Sequence, residues 1–407
     1  MMRLGSNEDR VLQLSQDTKR SRLSDVGQRT IIQMVPRLTD EPNGVADHAF
    51  ALSRAFRMYG LDSIFLAATP SAKERAGEDE WGTVSLPKRQ ARSLAETIKS
   101  TADSSKVAAV LLHMSGYGYA KRGAPAWLLQ GLRRWQLRYA NQLPLITIFH
   151  ELYAVGRRPW QSSFWLSPVQ KVITRSILDL SSDAIVTTQL FRDQLLRWNP
   201  AARVTCMPVF SNVGEPDHCA PPNARCAIGV VFGLAGVEDR LFGYFRRDIE
   251  RVITTIGIEK IIDIGPRSYA VPVSFAGVPV ISKGALPAFA VSSLLEQAKF
   301  GFVAYPFDVL AKSGVFAAYA AHGTIPIVFA DRRGSFDGLE DGRHFLDGVK
   351  LNATVHPDRL TLVQRQLSGW YRAHSLQVQA HHLYQCATNS TGLQASPVVS
   401  RSLASRQ

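Results

Sequence analysis

From Thr30 to Val209 the chain alternates short, almost purely apolar runs with stretches of helical period. IIQMVP (31–36), SIFLAA (63–68), VAAVLLH (107–113), LITIFH (145–150), AIVTT (184–188) and VTCMPV (204–209) are of strand length and show no alternation of inward and outward positions. That pattern predicts strands buried on both faces. Between them, residues 44–60 place Ala46, Ala49, Phe50, Ser53 and Phe56 at helical spacing and close on Gly60, and further helices are predicted near 125–140, 168–180 and 189–198. Strand, helix, strand with apolar strands predicts a parallel sheet covered on both sides.

The pattern breaks at SNVGEPDHCAPPNAR, poor in apolar period and rich in proline and glycine, and a second alternation follows it. Strands are predicted at 226–233, 259–265, 278–282, 300–306 and 324–331, with helices at 243–256, 291–298 and 313–323. A helical stretch from Pro357 to about Tyr384 precedes a serine-rich end. The expected organisation is a flexible arm over 1–29, an N-terminal Rossmann-like domain over 30–211, a linker over 212–225, a second such domain over 226–356, a helical segment over 357–385 and a flexible tail over 386–407. The fold class is α/β, two doubly wound parallel sheets facing a cleft, where ligands sit at the carboxyl ends of strands.

With 407 residues, the chain is long enough for two domains of ordinary size, roughly 150 residues each. No apolar run reaches bilayer length, MMRLGSNEDR lacks the apolar stretch of a secretory signal, and four cysteines without a C-x-x-C pair make no disulfide framework. A cytoplasmic protein is expected, at most peripheral at the inner face of the cell membrane. The net charge of +13 is concentrated, since residues 101–200 hold 12 basic and 5 acidic side chains. There Lys121, Arg122, Arg133, Arg134, Arg138, Arg157 and Arg158 alternate with Trp127, Trp135 and Trp160, which suits either an anionic membrane surface along 121–160 or a solvated helix face with buried tryptophans. The chain carries no nucleic-acid recognition module, so no nucleic-acid partner is expected.

Chemistry concentrates at three strand ends. Lys312-Ser313-Gly314 opens a small-residue helix, where a Ser313 cap, an uncovered backbone at Gly314 and the Lys312 charge together suit an anion; a plain cap beside a solvated lysine is the other reading. His150 and Glu151 end an apolar strand, placed to orient a substrate and to act as a base. Asn43-Gly44 faces the same cleft or is a simple turn, and His113 precedes SGYGYAKRG, a loop suited to an acceptor pocket. His48 reads as packed. No His/Asp/Glu group has metal-ligand spacing along the chain, and there is no P-loop or G-x-S-x-G elbow.

Taken in order, PNGVADHAFALSRAF, LITIFHEL, SSDAIVTTQLFRDQLLRW, VFGLAG, IIDIGP and the segment AYPFDVLAKSGVFAAYAAHGTIPIVFAD resemble the GT-B glycosyltransferases, in particular the retaining group 1 enzymes, over about Ile31 to Gln385. The resemblance implies a nucleotide-sugar donor held by the second domain, at the turns of Gly233, Gly236 and Gly265; the family's Arg and Lys after the first donor strand are not evident, Arg240 lies just downstream, and Lys312, Ser313 and Gly314 are the candidates for a replacement diphosphate clamp. It also implies an acceptor held by the first domain, for which Asn43, Gly44 and His113 are the candidates, and places His150 as the catalytic-cleft histidine; Glu151 beside it is a candidate catalytic base if the reaction inverts. The chain departs from the family's Glu-x7-Glu motif: with Gly323 on the family glycine, the two acid positions are Leu310 and Ala318. The expected function is sugar transfer to a saccharide or lipid-linked acceptor in bacterial cell-surface or exopolysaccharide biosynthesis. No cofactor or metal is expected, since Lys312 and the helix end are placed to neutralise the diphosphate. A protein that binds a nucleotide sugar or a partner without turnover is the alternative.

Overall fold

The computed structural model describes residues 29–38, 43–69, 81–138, 143–154, 162–233, 239–266, 271–331 and 334–389. The first half builds a seven-stranded sheet from β1 (Arg29–Arg37), β2 (Leu61–Thr69), β3 (Gly82–Ser85), β4 (Val107–Met114), β5 (Leu145–Phe149), β6 (Asp183–Val186) and β7 (Val204–Cys206). The order is β3-β2-β1-β4-β5-β6-β7 and every pairing is parallel. The chain winds outward from β1 in one direction and from β4 in the other, so the switch point lies between these two strands, whose carboxyl ends open a crevice.

Around this sheet pack α1 (Gly44–Phe56), α2 (Ala91–Ser104), α3 (Ala126–Arg138), α4 (Ser162–Leu180) and α5 (Gln189–Trp198). The fully buried strands are what the unbroken apolar runs demanded: Ile31, Ile32, Val110, Leu111, Leu112 and Ile146 have no exposed surface. Trp135 falls in step with Leu128 and Leu132 on α3 and is buried with them, and Trp127 is half-buried with its indole N–H on the Tyr119 carbonyl. The basic residues Lys121, Arg122, Arg133, Arg134 and Arg138 stay exposed, so the alternation along 121–138 separates into a solvated basic face and a buried aromatic one. Arg157, Arg158 and Trp160 lie outside the described residues.

The second half repeats the plan with β8 (Cys226–Phe232), β9 (Lys260–Ile264), β10 (Ser274–Phe275), β11 (Val278–Ser282), β12 (Ala298–Ala304), β13 (Ile325–Phe329) and β14 (Leu346–Asp347) in the order β10-β11-β9-β8-β12-β13-β14. Only β10 runs antiparallel, against β11. Helices α6 (Arg246–Ile256), α7 (Ala288–Gln297) and α8 (Gly314–His322) cover it. Helix α8 is apolar all round because all of it from Phe316 onward is buried, with Tyr319 pressed against the bare backbone of Gly301 and its hydroxyl on the Val230 carbonyl. Gly323 ends α8 in the left-handed region (φ 66°), a conformation open to glycine without a Cβ penalty.

The helical stretch predicted from Pro357 is two helices, α9 (Pro357–Arg372) and α10 (Leu376–Asn389), broken at 373–375. Residues 386–389, expected to belong to a flexible tail, are the last turn of α10, and the rest of that expected tail lies outside the described residues. Helix α10 returns to the first half and packs on α1, where Tyr384 stacks on Tyr59. The segment between the halves is anchored: Arg225 is buried and donates to the carbonyls of Ala220, Leu295, Ala298 and His322, so one guanidinium meets the carboxyl-end carbonyls of both α7 and α8.

Candidate functional site

A cavity of 260 Å³ lies between the halves at the carboxyl ends of the strands, and both contribute to its wall. From the first half come Asn43 and Gly44 after β1, His48 on α1, Ser115 after β4, and His150 with Glu151 after β5; Lys312 and Gly314 come from the second half. Asn43 caps α1, its side-chain oxygen accepting from the Val45 N–H at 3.2 Å while its own N–H donates to Asp47 at 3.1 Å. A Cβ on Gly44 or on Gly314 would meet no atom within 4 Å. Two helix starts thus present uncovered backbone to one space, and each carries the positive end of a helix dipole.

Lys312 is half-buried, and no carboxylate makes a contact ion pair with it among the described residues. Burial lowers its pKa and the charge of Glu151 partly restores it. Its ammonium stands 5.5 Å from the centre of the Phe191 ring. Glu151 is exposed at the cavity mouth and accepts a hydrogen bond from the Ser115 hydroxyl at 3.3 Å. Tyr305 feels the same field: burial and then Glu151 raise its pKa, while Arg240 opposes them.

Behind His150 runs a directed hydrogen-bond chain. The Ser53 hydroxyl donates to the Ala49 carbonyl at 3.0 Å, so Ser53 Oγ accepts from the Gln33 amide (2.6 Å), which also donates to Ser63 (3.0 Å). Gln33 Oε1 then faces His113 Nε2 at 2.9 Å, which makes that nitrogen the donor and leaves His113 Nδ1 to accept from His150 Nε2 at 3.2 Å. His48 completes the group, stacked on Phe210 (ring centres 4.3 Å apart) and edge-on to His113 and His150. Burial holds His48 and His113 well below the ordinary 6.5, and burial with the charge of Lys312 pushes His150 down to about 3. All three rings are neutral at physiological pH.

Of the residues expected from sequence, Asn43, Gly44, His150, Glu151, Lys312 and Gly314 meet in this cavity. Ser313 does not line it; the side chain is buried and spent on capping α8, accepting from the Phe316 N–H at 3.2 Å. His113 is fully buried behind His150 and is not part of this cavity's lining. Gly233 (φ 152°) and Gly265 (φ 131°) end β8 and β9, with their N–H groups bound to the carbonyls of Ile264 and Gly284, and they and Arg240 stand outside the cavity lining. Gly236 lies outside the described residues. Leu310 and Ala318, the positions of the two family acids, are buried in apolar core.

Sequence reasoning missed Thr187, took Ser115 only as the start of the loop SGYGYAKRG, and read His48 as packed, which it is, while one edge of it also lines the cavity. His48 sits one helical turn after Gly44, so it shares the face of α1 that looks into the crevice, and that spacing was its one available signal. Thr187 follows β6 and is buried at the cavity with its hydroxyl unpartnered. The absence of ligand spacing along the chain also does not carry over to space: the ring nitrogens of His48, His113 and His150 lie within 4.8 Å of one another.

No protein-family model matches the chain, and comparison with curated sequences finds no match. Solved structures do match over nearly their whole length. A glycosyltransferase from Rickettsia africae superposes with a TM-score of 0.56 at 10% identity, covering 89% of this chain and 99% of that one. An alpha-glucosyltransferase in complex with UDP gives 0.56 at 10% over 89% and 100%, and Anabaena HepE in complex with UDP-glucose gives 0.53 at 10% over 88% and 99%. The chain therefore has the two-domain GT-B fold expected from the motif order.

Proposed function

We propose that the protein is a glycosyltransferase that takes a sugar from a nucleoside diphosphate donor and passes it to a saccharide or lipid-linked acceptor in bacterial cell-surface or exopolysaccharide assembly. The observation that carries this reading is the half-buried Lys312, with no contact ion pair, at the open start of α8, lining the same cavity as Glu151 and His150. A leaving nucleoside diphosphate carries developing negative charge, and a lysine beside a helix N-terminus stabilises that charge. Structures of the same fold hold UDP and UDP-glucose, which supports a donor of that class.

In this reading the diphosphate binds Lys312 and the first N–H groups of α8, and no step needs the missing family acids. The step is then a single inverting displacement, unlike that of the retaining enzymes the motif order resembles: Glu151, oriented by Ser115, takes the proton of the acceptor hydroxyl as the new bond to the anomeric carbon forms. The bond from that carbon to the diphosphate oxygen breaks, and the nucleoside diphosphate leaves on Lys312. His150, steadied through His113 and Gln33, positions the sugar. Exposed Lys121, Arg122, Arg133 and Arg134, together with Phe164 and Trp165 on α4 (40% and 69% exposed), support docking of this half on an anionic membrane face in the cytoplasm. No described helix is long and apolar enough to cross a membrane.

The apolar packing of Leu310 and Ala318 favours one alternative, nucleotide-sugar binding without turnover. Thermal stabilisation by a panel of UDP-, GDP-, ADP- and TDP-sugars identifies the donor; release of nucleoside diphosphate in the presence of acceptor glycolipids, lost in Glu151→Gln, then establishes transfer. Selective stabilisation with no release over any acceptor supports the binding reading, and no stabilisation by any member of the panel overturns both.

A further inference from the structure

We propose that His48, His113 and His150 form a site for a borderline transition-metal ion such as Zn²⁺, with one coordination position open to the cavity. The three rings come from α1, β4 and the residue that follows β5, all held against the core of the first half, and their ligand atoms lie within 4.8 Å of one another. His113 Nδ1 and His150 Nε2 are 3.2 Å apart. Two ligands of a tetrahedral ion with Zn–N bonds of about 2.0–2.1 Å stand about 3.3–3.4 Å apart, so this pair needs almost no adjustment.

Two further observations point to a ligand. His48 Nδ1 is buried without any hydrogen-bond partner, an arrangement that native proteins rarely leave unexplained. His113 already has the support that metal-binding histidines use: its distal nitrogen donates to Gln33 Oε1, and Gln33 is held in turn by Ser53 and Ser63, so the Nδ1 lone pair is committed toward the cluster. Binding moves the proton of His150 from Nε2 to Nδ1 on the same ring and replaces one hydrogen bond by coordination.

An all-imidazole set suits Zn²⁺, Co²⁺, Ni²⁺ or Cu²⁺ and discriminates against Mg²⁺ and Ca²⁺, which take oxygen. Among the described residues no fourth protein ligand belongs to the group, which leaves a position for water or a substrate oxygen, as in three-histidine catalytic sites. Lys312 opposes a dication at the cavity mouth, and Glu151 beside it offsets that charge. Metal binding is measured without any sugar, so its failure and the failure of the glycosyltransferase reading are separate results.

The test uses full-length protein stripped with a chelator and titrated with Co²⁺, followed by calorimetry and visible absorption, with Zn²⁺ as competitor. One equivalent is expected, with ligand-field bands of a tetrahedral nitrogen–oxygen site and no thiolate charge-transfer band. His48→Gln and His113→Gln lower affinity at least tenfold, Gln33→Leu lowers it about 10–100-fold, and Cys206→Ser leaves it unchanged. X-ray absorption on the zinc-loaded natural protein counts imidazole ligands without any variant, so a variant that unfolds leaves the question decidable. No binding at millimolar metal, sulfur in the coordination shell, or full affinity in folded His48→Gln overturns the proposal.

Discussion

Replacing Lys312 by Met removes the charge while keeping an unbranched side chain in the same half-buried space. Two unit charges about 4 Å apart at an effective dielectric of about 20 interact by about 4 kcal/mol. Glu151 shares the local field and the cavity mouth is wet, so about half of that survives, roughly 2 kcal/mol, or about a 30-fold rise in Kd for the nucleoside diphosphate. The ligand-free protein should not suffer, because burial already disfavours the ammonium and no contact ion pair is broken. The expected pattern is weak binding on an unchanged melting temperature. Calorimetric titration of the nucleoside diphosphate into both proteins, at one salt concentration, reads it directly. Affinity unchanged within twofold in a folded Lys312→Met variant would show that no phosphate sits at this residue and would remove the main support for a donor site at α8.

Gly44→Ala and Gly314→Ala each place a methyl group in open space at a helix start; stability should hold or rise by about 0.4–1 kcal/mol while nucleotide or acceptor binding weakens, and a loss of stability in thermal melts contradicts this. Arg225→Ala strips the donor from four carbonyls at once and should cost about 3–5 kcal/mol in urea unfolding; a loss below about 1 kcal/mol would mean that water satisfies these groups. His374 is buried and its pKa is pushed from 6.5 to about 4. The unfolded chain therefore gains a proton over that window that the native protein refuses, and stability falls by about 3 kcal/mol as pH drops from 6.5 to 4; His374→Leu should flatten the urea midpoint against pH by about this amount.

The parallel sheets were legible because their strands are covered on both sides, which leaves unbroken apolar runs such as VAAVLLH. Strand β3, four mostly exposed residues at a sheet edge, has no such signature. Helix α2 was legible in principle: Leu94, Ala95, Ile98 and Thr101 form one buried face, but its low overall hydrophobicity hid the pattern. The cavity residues found in advance all follow directly from strand ends or helix starts. His48, His113 and His150 are separated by 65 and 37 positions, and only the order of β1, β4 and β5 in the sheet brings them together. Ser313 and His113 show the converse limit, since residue type and position placed them at the crevice while hydrogen bonding turned both inward.

The two halves contribute different chemistry to the cavity. With Leu310 and Ala318 sealed in core, the second half offers the cavity a cation and a helix end, and the first half supplies its carboxylate and imidazoles. Such a division works only if Lys312 keeps its place relative to β5, and the chain has a tie for that purpose. The Val209 N–H donates to the carbonyl of Ala311, the residue before Lys312, at 3.1 Å. Tyr371 links Ser211 to Glu215, which also accepts from the Leu376 N–H, and Gln379 reaches the Pro208 carbonyl. All of these bonds gather around 208–215, where the first half ends, so the backbone beside Lys312 is tied to the first half.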